Sequence, residues 1–312
     1  MRRTIALSLW ALAAASCASA ETCNLQRVAE LPVQYMPQAG LIFVSAKIQD
    51  QPIPMVLATA AQSTMIDSAT AERLKLDMRP VRNLKGQSRS GESQRVFEVL
   101  IPEMHVGTIR YTQYRMLITE VARTDAQKRN VGSFSLNSMN NADFEFDVAA
   151  GKVKAFTPAP CATSAPWASD ADTVPLVETA NSHHMRVDVK VDGKTLRAEF
   201  DSSLRRSALT WSGMRRLGLS PDGDVETTPD GEKLRRYQSF AIGDEEIRNP
   251  RFGVVRVVET WSANGGTARR IEMDSQPDMY LGADWLRAHH VYVGRGAKQV
   301  HFTYNGGPVF EK

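Results

Sequence analysis

Cysteine is scarce in this chain, three residues in 312, and the three stand too far apart for a cysteine metal site. Charge of one sign is missing as well: 38 Lys and Arg face 35 Asp and Glu. No basic stripe interleaved with aromatics occurs, so nucleic acid is excluded as a partner; Arg235-Arg236 and Arg269-Arg270 read as solvated loop pairs. Only one long apolar run exists, Thr4 to Ala15, and at about a dozen residues it falls short of the roughly 18 to 20 that a membrane span needs. No His-Glu-x-x-His spacing and no Gly-x-Ser-x-Gly elbow is found, which removes the common zinc and serine hydrolase signatures. No cofactor motif stands out, and neither a metal nor a cofactor is expected.

What is present is an ordinary globular composition, 42% hydrophobic and 23% charged, long enough for two domain-sized cores. Arg2-Arg3, the apolar run and Ala18-Ser19-Ala20 before Glu21 read as a secretory signal peptide over residues 1–20, and cleavage would lower the formal charge from +3 to +1. The expected location is periplasmic or secreted. Lipidation of Cys17 ranks second, because Ala14 stands where a bulky aliphatic is usual. Cleavage leaves Cys23 and Cys161, which an oxidising compartment would let pair; two free thiols are the alternative.

The chain also repeats itself. Shifted by 143 positions, residues 31–76 lie over 174–219 without a gap, with Pro32 on Pro175, Val44 on Val187, Lys47 on Lys190, Arg73 on Arg216 and Leu76 on Leu219. Each copy reads as strand, turn, strand, short helix: Leu41 to Ile48, a turn at Gln49-Asp50-Gln51 and Ile53 to Leu57, then Met185 to Val191, Asp192-Gly193 and Thr195 to Phe200. Asp67 or Ser68 can cap a short helix through Leu74, and Gly218 stops one near Ser212 to Leu217. Polar tips follow at Lys85 to Gln94 and at Pro229-Asp230-Gly231, then late hairpins, with Leu281-Gly282 corresponding to Val131-Gly132. A Pro-, Ala- and Ser-rich segment divides the copies, so the expected organisation is a first lobe over 21–156, a linker over 157–173 and a second lobe over 174–312. At the centre of the repeat Asp201-Ser202-Ser203 lies opposite Ala58-Thr59-Ala60.

Short strands, little helix and an Asp directly after an apolar strand suggest an all-β protein of two similar lobes with a central cleft. Phe200-Asp201-Ser202-Ser203 with Leu281-Gly282-Ala283-Asp284, and the closing strands at 151–156 and 298–302, resemble the retropepsin-like and pepsin-like aspartic peptidases, in a bacterial form with both lobes on one chain. The second half carries the better-preserved motif. The resemblance implies β-barrel lobes, with Asp201 as candidate catalytic acid supported by Ser202. It also implies flap tips at Gly86, Gly91 and Gly231 over an extended peptide. Such enzymes hold water between two carboxylates that share one proton. Ala58 can neither give nor take a proton. Asp67 is read as a helix cap and Asp284 as a helix-start residue, and the histidines as surface or satisfied structural groups. The reading is therefore an exported aspartic-peptidase-fold protein, catalytically degenerate as a monomer and binding extended peptides. An active endopeptidase whose second acid comes from dimerisation, and a structural envelope protein, are the alternatives; the sequence leaves oligomeric state open.

Overall fold

A computed structural model describes residues 23–87, 93–119, 132–139, 141–177, 184–256 and 276–310. The signal-like segment, Cys17 and Gly91 lie outside these residues. The strand Leu41–Ile48 buries Ile42, Val44, Ala46 and Ile48, the period-two pattern of a half-buried strand, and turns through Gln49 and Asp50, both at positive φ (51° and 62°), into Gln51–Ala58. Arg186–Val191 and Lys194–Phe200 repeat the device with Asp192 and Gly193 at 48° and 76°. Two consecutive positive-φ residues match the right-handed twist of the flanking strands, which explains a tight hairpin at both places. The short helices fall where capping chemistry puts them. Asp67 Oδ1 accepts the Thr70 amide at 2.8 Å to start Ser68–Arg73, and Trp211–Leu217 runs from the Thr210 cap to Gly218, whose φ of 79° suits glycine.

The lobes are joined by a six-stranded antiparallel layer in the order Asp172–Pro175, Gln299–Tyr304, His289–Gly294, Asp143–Asp147, Lys152–Phe156 and Arg27–Met36. Its middle seam is a pairing between lobes, Val291 with Phe146 and Val293 with Phe144. From Arg27–Met36 the sheet continues into the first lobe, while a separate nine-stranded sheet builds the second. One continuous apolar cluster runs through both, from Leu31, Ile42 and Phe134 to Phe200, Trp285 and Phe302. The result is a two-lobed all-β fold, with few and short helices.

The linker lies on the outer side of the joining layer. Asp143 fixes it by accepting the Ala159 and Gly296 amides at 2.9 and 3.1 Å and the Tyr292 hydroxyl at 3.0 Å. Cys23 and Cys161 form a disulfide with their Cα atoms 5.4 Å apart, binding the approach to the first strand to the linker. That bond fits an oxidising compartment. Among the described residues no helix is long and apolar enough to cross a membrane.

Candidate functional site

The first-lobe strand Gln51–Ala58 and the second-lobe strand Lys194–Phe200 each end in a turn, and the two turns are bonded to one another. Thr59 Oγ1 donates to the Phe200 carbonyl at 2.6 Å and accepts the Ser202 amide at 3.0 Å. In return Ser202 Oγ donates to the Leu57 carbonyl at 2.6 Å and accepts the Thr59 amide at 3.2 Å. Each hydroxyl satisfies in the other lobe one carbonyl and one amide that burial would otherwise leave unpaired. The exchange is two-fold, Leu57 answering Phe200 and Thr59 answering Ser202. It therefore seats Ala58, 1% exposed, and Asp201, 4% exposed, at corresponding places on the two turns.

Asp201 is held from its own side. Its Oδ1 accepts the Ser203 amide at 3.0 Å and the Ser203 hydroxyl at 2.5 Å, and its amide donates to the Leu281 carbonyl at 2.9 Å. Beneath it the loop rests on Gly282. A Cβ there would lie 2.6 Å from the Arg206 carbonyl carbon and 2.8 Å from the Leu204 oxygen, so only glycine permits the approach. Gly282 N donates to Ser207 Oγ at 2.9 Å, and Ser207 gives both its amide and its hydroxyl to Asp284. Asp284 thus fastens the loop to the helix Ala283–Ala288. Burial pushes its carboxyl up to about 6 in spite of the donors from Ser207 and Trp285.

The ladder register corrects the expected partner of Leu281-Gly282. Phe200 stands beside Leu281, and Leu57 stands beside Phe134, so Phe134-Ser135 rather than Val131-Gly132 fills that place in the first lobe. The separation has grown from 143 to 147 by this point, because the intervening hairpins differ in length, and a constant shift no longer holds. Ser135 N donates to Thr64 Oγ1 at 3.0 Å, as Gly282 N does to Ser207, but its hydroxyl now donates to the Ala61 carbonyl. Asn137, two positions on as Asp284 is from Gly282, donates Nδ2 to the Gln62 carbonyl at 2.9 Å. Sequence reasoning missed Ser135 and Asn137 through that register.

Other expected residues are scattered. Gly86 pairs with Gln94 within a ladder, inboard of the hairpin tip. Gly231, with φ +83°, lies in the turn between Glu226–Thr227 and Lys233–Arg236; that turn is tied to the loop after Asp201 by ion pairs from Arg205 to Asp230 and Glu232 and from Arg206 to Glu232. The Thr228 hydroxyl and then the Arg205 guanidinium hold the Asp230 carboxyl near the bottom of the carboxylate range, at about 2.

Two polar clusters were not anticipated. Glu199 accepts Arg186 Nε at 2.8 Å and lies 2.5 Å from His184 Nδ1, all on the strand face opposite the core-facing Leu196, Ala198 and Phe200. A signal existed: counting outward from the Asp192-Gly193 turn pairs Arg186 with Glu199, where the first lobe pairs Phe43 with Val56. On the joining layer, Glu145, Asp147 and His290 bring candidate ligand atoms within 4.8 Å of one another. Lys154 Nζ already lies 2.9 and 3.2 Å from the Glu145 oxygens, and the His290 ring stacks on Trp167 at 3.5 Å, so an ammonium holds the seat that a cation would take. His289 and His301 have both ring nitrogens occupied, by Trp285 and Glu245 and by Thr173 and Ala162.

The family model described as aspartyl protease matches residues 44–133, the part of the first lobe that carries Ala58. Among solved structures, the chain is similar to the basic 7S globulin from soybean, at 13% identity and a TM-score of 0.49, over 92% of this chain and 98% of that one. No curated protein matches the sequence.

Proposed function

We propose that this protein is an exported, catalytically degenerate member of the aspartic-peptidase fold that binds extended peptides between its lobes. The observation that carries the reading is the reciprocal Thr59–Ser202 bonding, which supports Ala58 as the counterpart of Asp201. Acid–base cleavage by a carboxylate pair needs one group to activate water while the other protonates the carbonyl. A methyl group does neither. Other acids near the turns are engaged elsewhere, Asp67 as a helix cap, Asp284 on Ser207 and Trp285, and Glu199 on Arg186 and His184. In this reading the halves descend from one repeated unit, and Asp201 persists as an anchor for the Ser203 turn and as an acceptor at the floor of the cleft. Among the described residues the strand Met78–Gln87 stands at the edge of its sheet, the position at which strand addition of a peptide takes place. Export rests on the signal-like N-terminus together with the Cys23–Cys161 bond. A second acid brought by dimerisation would have to reach Asp201, which is only 4% exposed within the single chain.

The test is a fluorogenic peptide library at pH 3 to 7 with the wild type and Asp201→Asn, alongside peptide-display enrichment on both. The expected result is enrichment of extended sequences without cleavage. Sequence-specific hydrolysis that vanishes in Asp201→Asn would sink the degenerate reading, and absence of any enriched peptide would sink the binding reading.

A further inference from the structure

Four residues beyond Asp201, the loop reaches a cavity of about 160 Å³ where the lobes meet. The first lobe supplies Tyr35 and Gly40, and the second supplies Arg205, Arg206, Asp284 and Arg287. Three guanidinium groups against one carboxylate is an unusual wall, and the carboxylate is already committed to the Ser207 amide and hydroxyl. Arg287 lies over the Tyr35 ring at 5.2 Å and donates one nitrogen to the Pro308 carbonyl at 2.7 Å. Its buried Nε makes no hydrogen bond, and among the described residues the one carboxylate its charge is seen to act on is Asp284, which the Ser207 donors already occupy. Arg205 is paired, but with Asp230 and Glu232 on a largely exposed turn, and exposed ion pairs are weak enough to be exchanged for an incoming anion.

We propose that this cavity is a carboxylate-binding site in which Arg287, with Arg205 beside it, takes the acidic group of a ligand lying along the junction of the lobes. Building on the peptide-binding reading, the ligand class becomes an acidic peptide. The guanidinium fork matches the two oxygens of a carboxylate, and Tyr35 keeps the Arg287 plane fixed for it. Asp284 in the wall disfavours groups of higher charge such as phosphate. Gly40 is required by the close approach of the lobes here, since a Cβ would meet Arg205 Cβ at 3.0 Å at a φ of +65°. The site therefore depends on the first-lobe turn being pressed onto the second lobe.

The experiment uses the full mature chain and a set of labelled octapeptides in which one Glu, or Gln in its place, is walked along an otherwise constant sequence; binding is read by fluorescence anisotropy. Succinate, tested by thermal shift, serves as the free carboxylate. At one position Glu should bind at least tenfold more tightly than Gln. Arg287→Gln should erase that preference while leaving the Gln peptide unaffected, and Arg287→Lys, which keeps charge and fold but not the fork, should retain part of it. Peptides that bind with no Glu preference overturn the carboxylate site and leave peptide binding standing. Succinate stabilisation that depends on Arg287, without any peptide binding, keeps the site and removes the peptide reading. No response to either probe overturns both.

Discussion

Replacing Thr59 by Val keeps the shape of the side chain and removes only its hydroxyl. That hydroxyl makes two buried bonds across the lobes, to the Phe200 carbonyl at 2.6 Å and from the Ser202 amide at 3.0 Å, with Thr59 6% exposed and Ser202 fully buried. No cavity of consequence is left, so the cost is that of an unpaired buried carbonyl and amide, about 1 to 3 kcal/mol each. A loss of about 2 to 6 kcal/mol follows. Ser202→Ala breaks a different pair of bonds, to Leu57 and from Thr59, and should cost a similar amount. Both hydroxyls hold the same two turns together, so once one has gone the other has less to hold. The double variant should fall short of the sum of the singles by about 1 kcal/mol or more, the coupling found for residues in one network. Urea unfolding with the disulfide intact measures all three, and an unchanged m value confirms that the same surface is exposed. If Thr59→Val costs less than about 0.5 kcal/mol, the turns are not bonded as described. The opposition of Ala58 and Asp201 then falls, and the argument for lost catalysis falls with it.

The raised carboxyl of Asp284 predicts a pH effect of definite sign. Because the folded state holds its proton up to about 6 against 3.8 normally, the burial penalty is absent below about pH 4, accrues as pH rises and is complete above about 6. Relative to Asp284→Asn, which stays neutral, the wild type should lose about 3 kcal/mol of stability across that window; a difference between the two that stays constant with pH refutes the assignment. Opening the disulfide releases a loop spanning 138 positions, so Cys23→Ser with Cys161→Ser should lose up to about 5 kcal/mol by chain entropy, and an unaltered melting temperature would count against that bond. Restoring the acid through Ala58→Asp, Ala60→Gly and Ser203→Gly should create peptide hydrolysis at acid pH only when Ser135→Gly is added. Equal activity without the last change would show that Ser135 does not disturb the first-lobe turn.

Local chemistry made much of the fold legible. The Asp192-Gly193 turn fixes the register of its hairpin, so the pairing of Arg186 with Glu199 was there to be counted, and Asp67, Thr210 and Gly218 mark helix ends by capping alone. Cys23 with Cys161 was legible because two cysteines in an oxidising compartment leave one intramolecular pairing. What lay hidden is non-local. The seam between Asp143–Asp147 and His289–Gly294 joins segments about 145 residues apart, and alternation within a strand says which face is apolar but not which strand lies alongside. The Trp167 stack on His290 depends on the path of a linker with no periodicity. Ser135 was missed for a related reason, since a constant shift describes aligned strands only until a hairpin of different length intervenes.

That displaced register bears on the chemistry. In the second lobe, Asp201 stands on a loop that lies against a bare glycine, with the Leu204 carbonyl taking the Ala283 amide at 2.7 Å. In the first, the loop after Ala58 faces Ser135, whose side chain occupies the space that Gly282 leaves open and whose hydroxyl takes the Ala61 carbonyl. Asn137 stands in the place of the buried Asp284 and bonds to a different part of the loop, the Gln62 carbonyl. The two lobes therefore differ both at the acid position and in what supports it: a carboxylate placed at position 58 would ride on a turn supported through a serine side chain. Two acids can share a proton only when their oxygens come within hydrogen-bonding reach, and at that range a displacement of about 1 Å costs on the order of a hundredfold in rate. Meanwhile the Thr59–Ser202 exchange, which requires only that the lobes meet, is complete on both sides. On the proposed reading, a chain that keeps the contact between its lobes while one acid lacks its glycine support would retain what a binding cleft needs and lack what hydrolysis needs.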